Sequence, residues 1–222
     1  FAGPLANFLL SIFIFSIIFL NTPDPQTVSV IKEVDSSISF KSSDQFILPG
    51  DQISYVDSTL IRDPKDLNLE LLSYAGHTGF INLNLKRADI DDLVSVSISV
   101  ENFLPTSEAQ SNPIKGLGLS TENRMKPIIG QVLPEGAANK GNIEANDIIL
   151  KIDNSKIYYA NDIRTAISSM PNRSVLVQVL RDGETLKLPV TIGSSIDSDG
   201  IEIGILGVSF GTSRSFAQAF SK

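Results

Sequence analysis

The chain has 222 residues, 42% of them hydrophobic, with a formal net charge of -7, one histidine and no cysteine. That length suits one or two small domains beside any anchor. The acidic balance argues against a nucleic-acid partner, which requires a basic footprint, and against docking on anionic lipid. Without cysteine there are no disulfides, no thiolate nucleophile and no Cys-based zinc site.

Phe1 to Leu20 carries no charge. Twenty helical residues span about 30 Å, the thickness of the hydrocarbon core, so a transmembrane helix is predicted over 1–20. A secretory signal peptide would begin with a basic residue and end in a small-residue cleavage site. Here the first cation is Lys32, and Asn21-Thr22-Pro23-Asp24-Pro25 follows the apolar run. A buried helix of a soluble protein would show a polar face that this stretch lacks. The segment opens without Met, in mid-motif, as expected of a piece of a longer protein. Asp24, with no nearby cation, favours a non-cytoplasmic exit side under the positive-inside rule.

The remainder repeats itself. Val30-Ile31-Lys32-Glu33-Val34 parallels Ile128-Ile129-Gly130-Gln131-Val132, and the stretch Ile47 to Asp57 parallels Ile143 to Asp153. The register holds through Ile61 and Ile157, Asp66 and Asp162, and Ser73 and Ser169, then into Phe80-Ile81-Asn82-Leu83 against Leu176-Val177-Gln178-Val179. Gly116-Leu117-Gly118-Leu119-Ser120 parallels Ile205-Leu206-Gly207-Val208-Ser209.

Each copy predicts the same elements in the same order. A strand comes first (28–34; 128–133), followed in the second copy by a turn into a helical turn at Pro134 to Ala138. A turn carrying Asp51 or Asp147 launches the next strand, the carboxylate bonding nearby backbone N–H groups. A helix follows over 64–72 and over 161–170; Ile163, Ala166, Ile167 and Met170 share one apolar face, and Asn161 or Asp162 is the predicted N-cap. Val175, Val177 and Val179 alternate into a hairpin turn at Arg181-Asp182-Gly183-Glu184, and Leu186, Leu188 and Val190 return. The first copy has Lys86-Arg87-Ala88-Asp89 there and a strand over 94–100. Each unit is thus a small β barrel or sandwich with a flanking helix.

The second copy resembles a PDZ domain of the bacterial type. The resemblance rests on Ile129 to Ala138 and on Ile143 to Asp153, with Gly136 and Asn146 departing from the usual Ser-Pro and Gly. It implies mainly β structure with short helices: two tandem, circularly permuted PDZ-like modules after one transmembrane helix. The expected divisions are 1–20 for the helix, 27–122 for a divergent first module, 123–212 for the second and 213–222 for a juxtamembrane start. In permuted modules the ligand-binding loop and strand come last. That assigns peptide binding to Gly116, Leu117, Gly118 and Leu119 in the first copy. In the second it assigns Gly204, Ile205, Leu206, Gly207 and Val208, with Ile163 and Ile167 on the helix. A peptide adds to such a strand edge, and glycines let N–H groups converge on its terminal carboxylate. The plain alternative is that these glycines serve turns and bulges.

Ala2-Gly3-Pro4-Leu5-Ala6-Asn7-Phe8 resembles the start of the second transmembrane helix of bacterial site-2 proteases, the regulator-of-sigma-E type of intramembrane zinc metalloprotease. The resemblance implies cleavage of membrane-embedded substrates by the parent protein. The PDZ pair would gate access or read trimmed substrate C-termini, on the extracytoplasmic (periplasmic) side of the bacterial inner membrane. Zinc belongs to the parent, with ligands outside this chain. A His-Glu-x-x-His helix and a Leu-Asp-Gly motif are required, and His77 alone cannot form the first. Asn7 either supports the active site or a substrate backbone, or caps the helix after Pro4. Asp89, Asp91 and Asp92 lack calcium-loop spacing. The competing function is a non-enzymatic membrane-anchored PDZ adaptor of the secretion-system type; a chaperone-protease PDZ tail fits less well, because the helix precedes the modules.

Overall fold

Two separate hydrophobic cores organise the chain. The structure, a computed structural model, describes residues 7, 8, 10–12, 14, 26–42, 44–88, 90 and 92–211. The predicted span over 1–20 lies mostly outside these residues. Asn7, Phe8, Leu10, Ser11, Ile12 and Ile14 are helical and exposed, and Ser11 Oγ donates to the Asn7 carbonyl at 2.8 Å. Among the described residues no helix is long and apolar enough to cross a membrane.

The first core is enclosed by strands β1 (Thr27–Val34), β2 (Gln52–Val56), β3 (Thr59–Leu60), β4 (Gly79–Lys86), β5 (Leu93–Val100) and β6 (Leu119–Met125). They form one antiparallel sheet in the order β5-β4-β2-β1-β6, with β3 on β2. Ile81, Leu83 and Leu85 alternate inward from β4, as a half-buried strand requires. Helix α1 (Pro64–Ser73) covers the sheet with Leu67 and Leu71, which lie four residues apart on one face. Asp63 caps it, its carboxylate accepting from the Lys65 and Asp66 N–H groups, and Pro64 occupies the first turn, where no N–H is required. Short helices α2 (Ser107–Gln110) and α3 (Pro113–Gly116) lead into β6. β6 pairs with β1 along its whole length, Thr27 opposite Met125, so the first sheet extends past residue 122.

The second core is built on β7 (Ile129–Val132), α4 (Ala137–Lys140), β8 (Ile148–Ile152), β9 (Ser155–Lys156), α5 (Ala160–Ile167), β10 (Ser174–Arg181) and β11 (Glu184–Thr191). The hairpin β12 (Gly193–Ile196) and β13 (Glu202–Ile205) follows, and then β14 (Val208–Phe210). The order β11-β10-β8-β9 forms one sheet, β14 pairs with β7, and an isolated bridge joins Ile128 to Ile148. Asp182 and Gly183, at φ 51° and 85°, turn the β10–β11 hairpin, as the tight two-residue turn demands. Helix α5 begins earlier than predicted. Its N-cap is Tyr159 rather than Asn161 or Asp162, and Asp162 Oδ2 reaches back to the Tyr158 and Tyr159 N–H groups at 3.0 and 2.8 Å. It also ends earlier, at Ile167.

The two cores share a detailed set of local bonds. Gly50 N–H donates to the Ile31 carbonyl and Ile31 N–H to the Asp51 carbonyl; Asn146 and Ile129 repeat this with Ile129 and Asp147. Gly50 and Asn146 both have positive φ, which glycine and asparagine tolerate best. Asp51 Oδ2 accepts from Leu48 N–H, and Asp147 Oδ2 from Glu144 N–H, both at 2.9 Å. These carboxylates are 1% and 0% exposed. Each is held by a two-pronged guanidinium: Arg87 Nε and Nη2 at 2.8 and 2.7 Å from Asp51, and Arg181 Nε and Nη2 both at 2.7 Å from Asp147. Hydrogen bonding to these carboxylates raises both guanidinium pKa values further. Arg87 also donates to the Phe46 carbonyl, and Arg181 to the Asn142 carbonyl.

Breaking such a pair from one side strands a charge out of reach of water. Arg181→Met is expected to cost about 3–5 kcal/mol of folding stability, measured by urea denaturation. A loss below about 1 kcal/mol, the level of a surface pair, would contradict the role given to Asp147.

Candidate functional site

Each core ends on an edge strand preceded by a glycine turn. In the second core β14 pairs with β7 alone among the described residues, which leaves its other edge open. Gly207, at φ 75°, makes the turn into it; a Cβ there would lie 3.3 Å from Gly136 Cα. Its carbonyl accepts from Leu133 N–H, and the Leu206 carbonyl accepts from Ala138 N–H, so the loop is anchored through its oxygens. Among the described residues the N–H groups of Leu206 and Gly207 make no hydrogen bond. Successive backbone amides in a turn are the kind of donor pair from which anion-binding nests are made. Gly204 seats β13 on the end of α5: its N–H donates to the Ser168 carbonyl, and a Cβ would meet the Ile167 carbonyl at 2.1 Å. Ile205 is 40% exposed and Val208 half-buried. Ile163 and Ile167 are buried in the core, so they support the groove wall from within and do not line it.

The equivalent turn in the first core is closed. Gly118 also has φ 75°, and its carbonyl accepts from Asp35 N–H. Here, however, the N–H groups of Gly116, Leu117 and Gly118 donate to the carbonyls of Asn112, Ile114 and Lys115 at 3.3, 3.1 and 2.9 Å. Helix α3 has taken up the donors. Gly116 is needed for contact, since a Cβ would sit 2.5 Å from Leu104 Cδ2. Leu117 and Leu119 are buried. β6 remains the edge strand of its sheet, and a cavity of about 230 Å³ lies between it and α1.

Between the cores, Arg124 lies 5.1 Å from the Tyr159 ring centroid, a cation–π contact, and its Nε donates to Glu122 at 2.7 Å. A cavity of about 510 Å³ is bounded here by Glu122 to Met125, the first turn of α5 and Phe210. A second cleft, of about 260 Å³, is lined by Lys86, Lys126 and Tyr158, whose hydroxyl donates to the Ala88 carbonyl. Among the described residues no group of three His, Cys, Asp or Glu side chains is placed to hold a metal ion. The described residues therefore do not fit zinc. His77 packs edge-on against Tyr74, with ring centroids 5.7 Å apart. Asp89 and Asp91 lie outside the described residues. The closing of the first loop by α3 was missed in the sequence, although Asn112-Pro113, a cap followed by Pro, signals a helix start.

Residues 115–192 match the PDZ domain family. The chain is mainly β with short helices, and the PDZ match covers that stretch of it. Its relatives are more particular. It is 26% identical over 210 residues to the regulator of sigma-E protease RseP of Escherichia coli strain K12, an alignment covering 93% of this chain and 45% of that protein. A protein of Vibrio cholerae serotype O1 named as a zinc metalloprotease is 25% identical over 211 residues, covering 93% of this chain and 45% of that one. A DegP-like periplasmic serine endoprotease of Ectopseudomonas mendocina is 33% identical over 89 residues, 40% of this chain and 19% of that protein. The chain is thus homologous over most of its length to regulator of sigma-E proteases, and spans less than half the length of these relatives.

Burial, more than any neighbouring charge, pushes the Tyr159 phenol up from 10.0 to about 12. The folded state keeps this proton when the unfolded chain has lost it. Its contribution to stability is complete below pH 10 and is lost as the pH rises towards 12. Comparing phenolate absorbance of the native protein and Tyr159→Phe should reveal a step near pH 12; a step near pH 10 would show that the ring is open to water.

Proposed function

We propose that this chain is the non-catalytic, extracytoplasmic middle part of a membrane-embedded zinc metalloprotease of regulated intramembrane proteolysis. Residues 1–20 form its membrane helix in the bacterial inner membrane, 27–122 and 123–212 are tandem permuted PDZ-like modules, and 213–222 begin a juxtamembrane segment. The homology to regulator of sigma-E proteases supports this reading over a secretion-system adaptor. The repeated turn, ion pair and edge strand support the tandem arrangement. Zinc and its ligands belong to the parent protein outside this chain, and Asn7 stands as a supporting residue of that distant site.

The observation that carries the peptide-binding role is the pair of unpaired amides at Leu206 and Gly207 beside the open edge of β14. A substrate trimmed by an earlier cleavage offers a new carboxylate. That carboxylate accepts from the two N–H groups, while the preceding residues extend along β14 by main-chain hydrogen bonds. Ile205 and Val208 contact the last side chains, and Gly204 holds the loop against α5. In the first module Gly116 to Leu119 shape the strand entry, and the β6 edge offers the main-chain contacts. The pair thereby gates which membrane-protein substrates approach the cutting centre.

The test is a titration of the chain with one peptide carrying a free C-terminus and with its C-terminally amidated form. The free acid is expected to bind about tenfold or more tightly, the scale of a charge-assisted hydrogen-bond set. Gly207→Glu, which sets a carboxylate into the nest, is expected to remove that preference. Equal affinity of the two peptides for the native chain would overturn the assignment.

A further inference from the structure

The first core has a polar cavity between its helix and its edge strand. The space between α1 and β6 is lined by Ser29, Asn68, Asn112, Thr121 and Asn123, beside Pro64, Leu67 and Ile114. Ser29 lies on β1 at the floor and is 2% exposed, and among the described residues its hydroxyl has no hydrogen-bond partner. A buried hydroxyl without a partner costs free energy, and native structures rarely leave one so. The side chains of Asn68, Thr121 and Asn123 also make no hydrogen bond among the described residues. Asn112 Oδ1 is used by the Lys115 N–H.

Among the described residues no ionisable side chain lines this cavity. The nearest charges on β6, Glu122 and Arg124, alternate to the other side of the strand and pair with each other. Amides and hydroxyls together offer both donors and acceptors but no net charge. A carboxylate or ammonium placed there would lose hydration without a counter-ion, and an aliphatic group would leave the polar atoms unmatched. A neutral group that both donates and accepts fits the lining. The occupant must also pass through, because the turn that would hold a chain end has its N–H groups committed to α3.

Resting on the peptide-edge reading above, we propose that the cavity between α1 and β6 is a subsite for an uncharged polar side chain, Asn, Gln, Ser or Thr, of an internal extended segment. The first core then reads a passing chain, and the second reads a chain end. The segment adds to the free edge of β6, one side chain entering the cavity towards Ser29, Thr121 and Asn123.

The probe is the capped peptide acetyl-Lys-Ala-Val-Ala-Asn-Ala-Val-Ala-Lys-amide, compared with versions carrying Leu or Asp in place of Asn. The caps remove any terminal carboxylate. The Asn peptide is expected to bind the full chain at least about fivefold tighter than either of the others, the scale of one or two neutral hydrogen bonds. Backbone amide shifts should centre on Thr121 to Asn123. Ser29→Ala is expected to weaken the Asn peptide severalfold without lowering the thermal midpoint, since it removes an unpaired buried hydroxyl. Equal or tighter binding of the Leu peptide, or no effect of Ser29→Ala on affinity, overturns the subsite. Failure of all capped peptides while a free C-terminus still binds at Leu206 and Gly207 overturns the internal-segment reading alone; failure of every peptide overturns both readings.

Discussion

A carboxylate cut off from water must be matched by a cation held in place, and this chain meets that requirement twice. Asp51 and Asp147 are buried at the turns that launch β2 and β8, where each also accepts a backbone N–H. The partner arginine is distant in sequence: Arg87 directly follows β4, and Arg181 ends β10. Each pair therefore ties the strand-launching turn to the central part of its sheet. The turn in turn sets the register of β1 on β2 and the approach of β7 to β8, and so places the edge strand that follows. The desolvation cost of such a pair makes it a poor source of net stability. Its contribution is to exclude alternatives: a slipped strand would leave a charge buried and alone.

The same frame yields two different edges. In the second core the loop before β14 is held through carbonyls, and among the described residues its amides at Leu206 and Gly207 make no hydrogen bond. In the first core an extra helical turn, Pro113–Gly116, precedes the loop and consumes the corresponding amides. One short insertion thus converts a turn suited to an anion into a turn that is internally complete. The cavity beside it presents Asn68 from α1, whereas the cavity beside α5 presents Arg164 at the matching position; Leu67 and Leu71 are buried as Ile163 and Ile167 are.

Much of this was legible in the sequence because the repeat fixes the positions. The Asp turns, the helix predicted over 64–72 and observed over Pro64–Ser73, the apolar face of Ile163 and Ile167, and the tight turn at Asp182-Gly183 all have local causes. The arginine partners were not legible, since each pairs with a carboxylate more than thirty residues earlier and nothing local marks it. β6 was legible only at its start: Ser120 to Arg124 has no apolar alternation, because an edge strand with two half-solvated faces needs none. The start of α5 was misplaced by the apolar count. Asp162 acts from inside the first turn, reaching back to Tyr158 and Tyr159, and a polar residue in that position looks like the cap itself. The unpaired hydroxyl of Ser29 has no sequence signal, because only packing shows that its surroundings supply no partner.

The central claim is that the open edge of β14, with the amides of Leu206 and Gly207, is where this chain meets a peptide end. Amide chemical-shift mapping of the full chain during titration with a free-acid peptide tests it most directly. The largest shifts are expected at Leu206, Gly207 and Val208, with smaller ones along α5. Shifts confined to the cleft of Lys86, Lys126 and Tyr158, with the Leu206 and Gly207 amides unmoved, would contradict it.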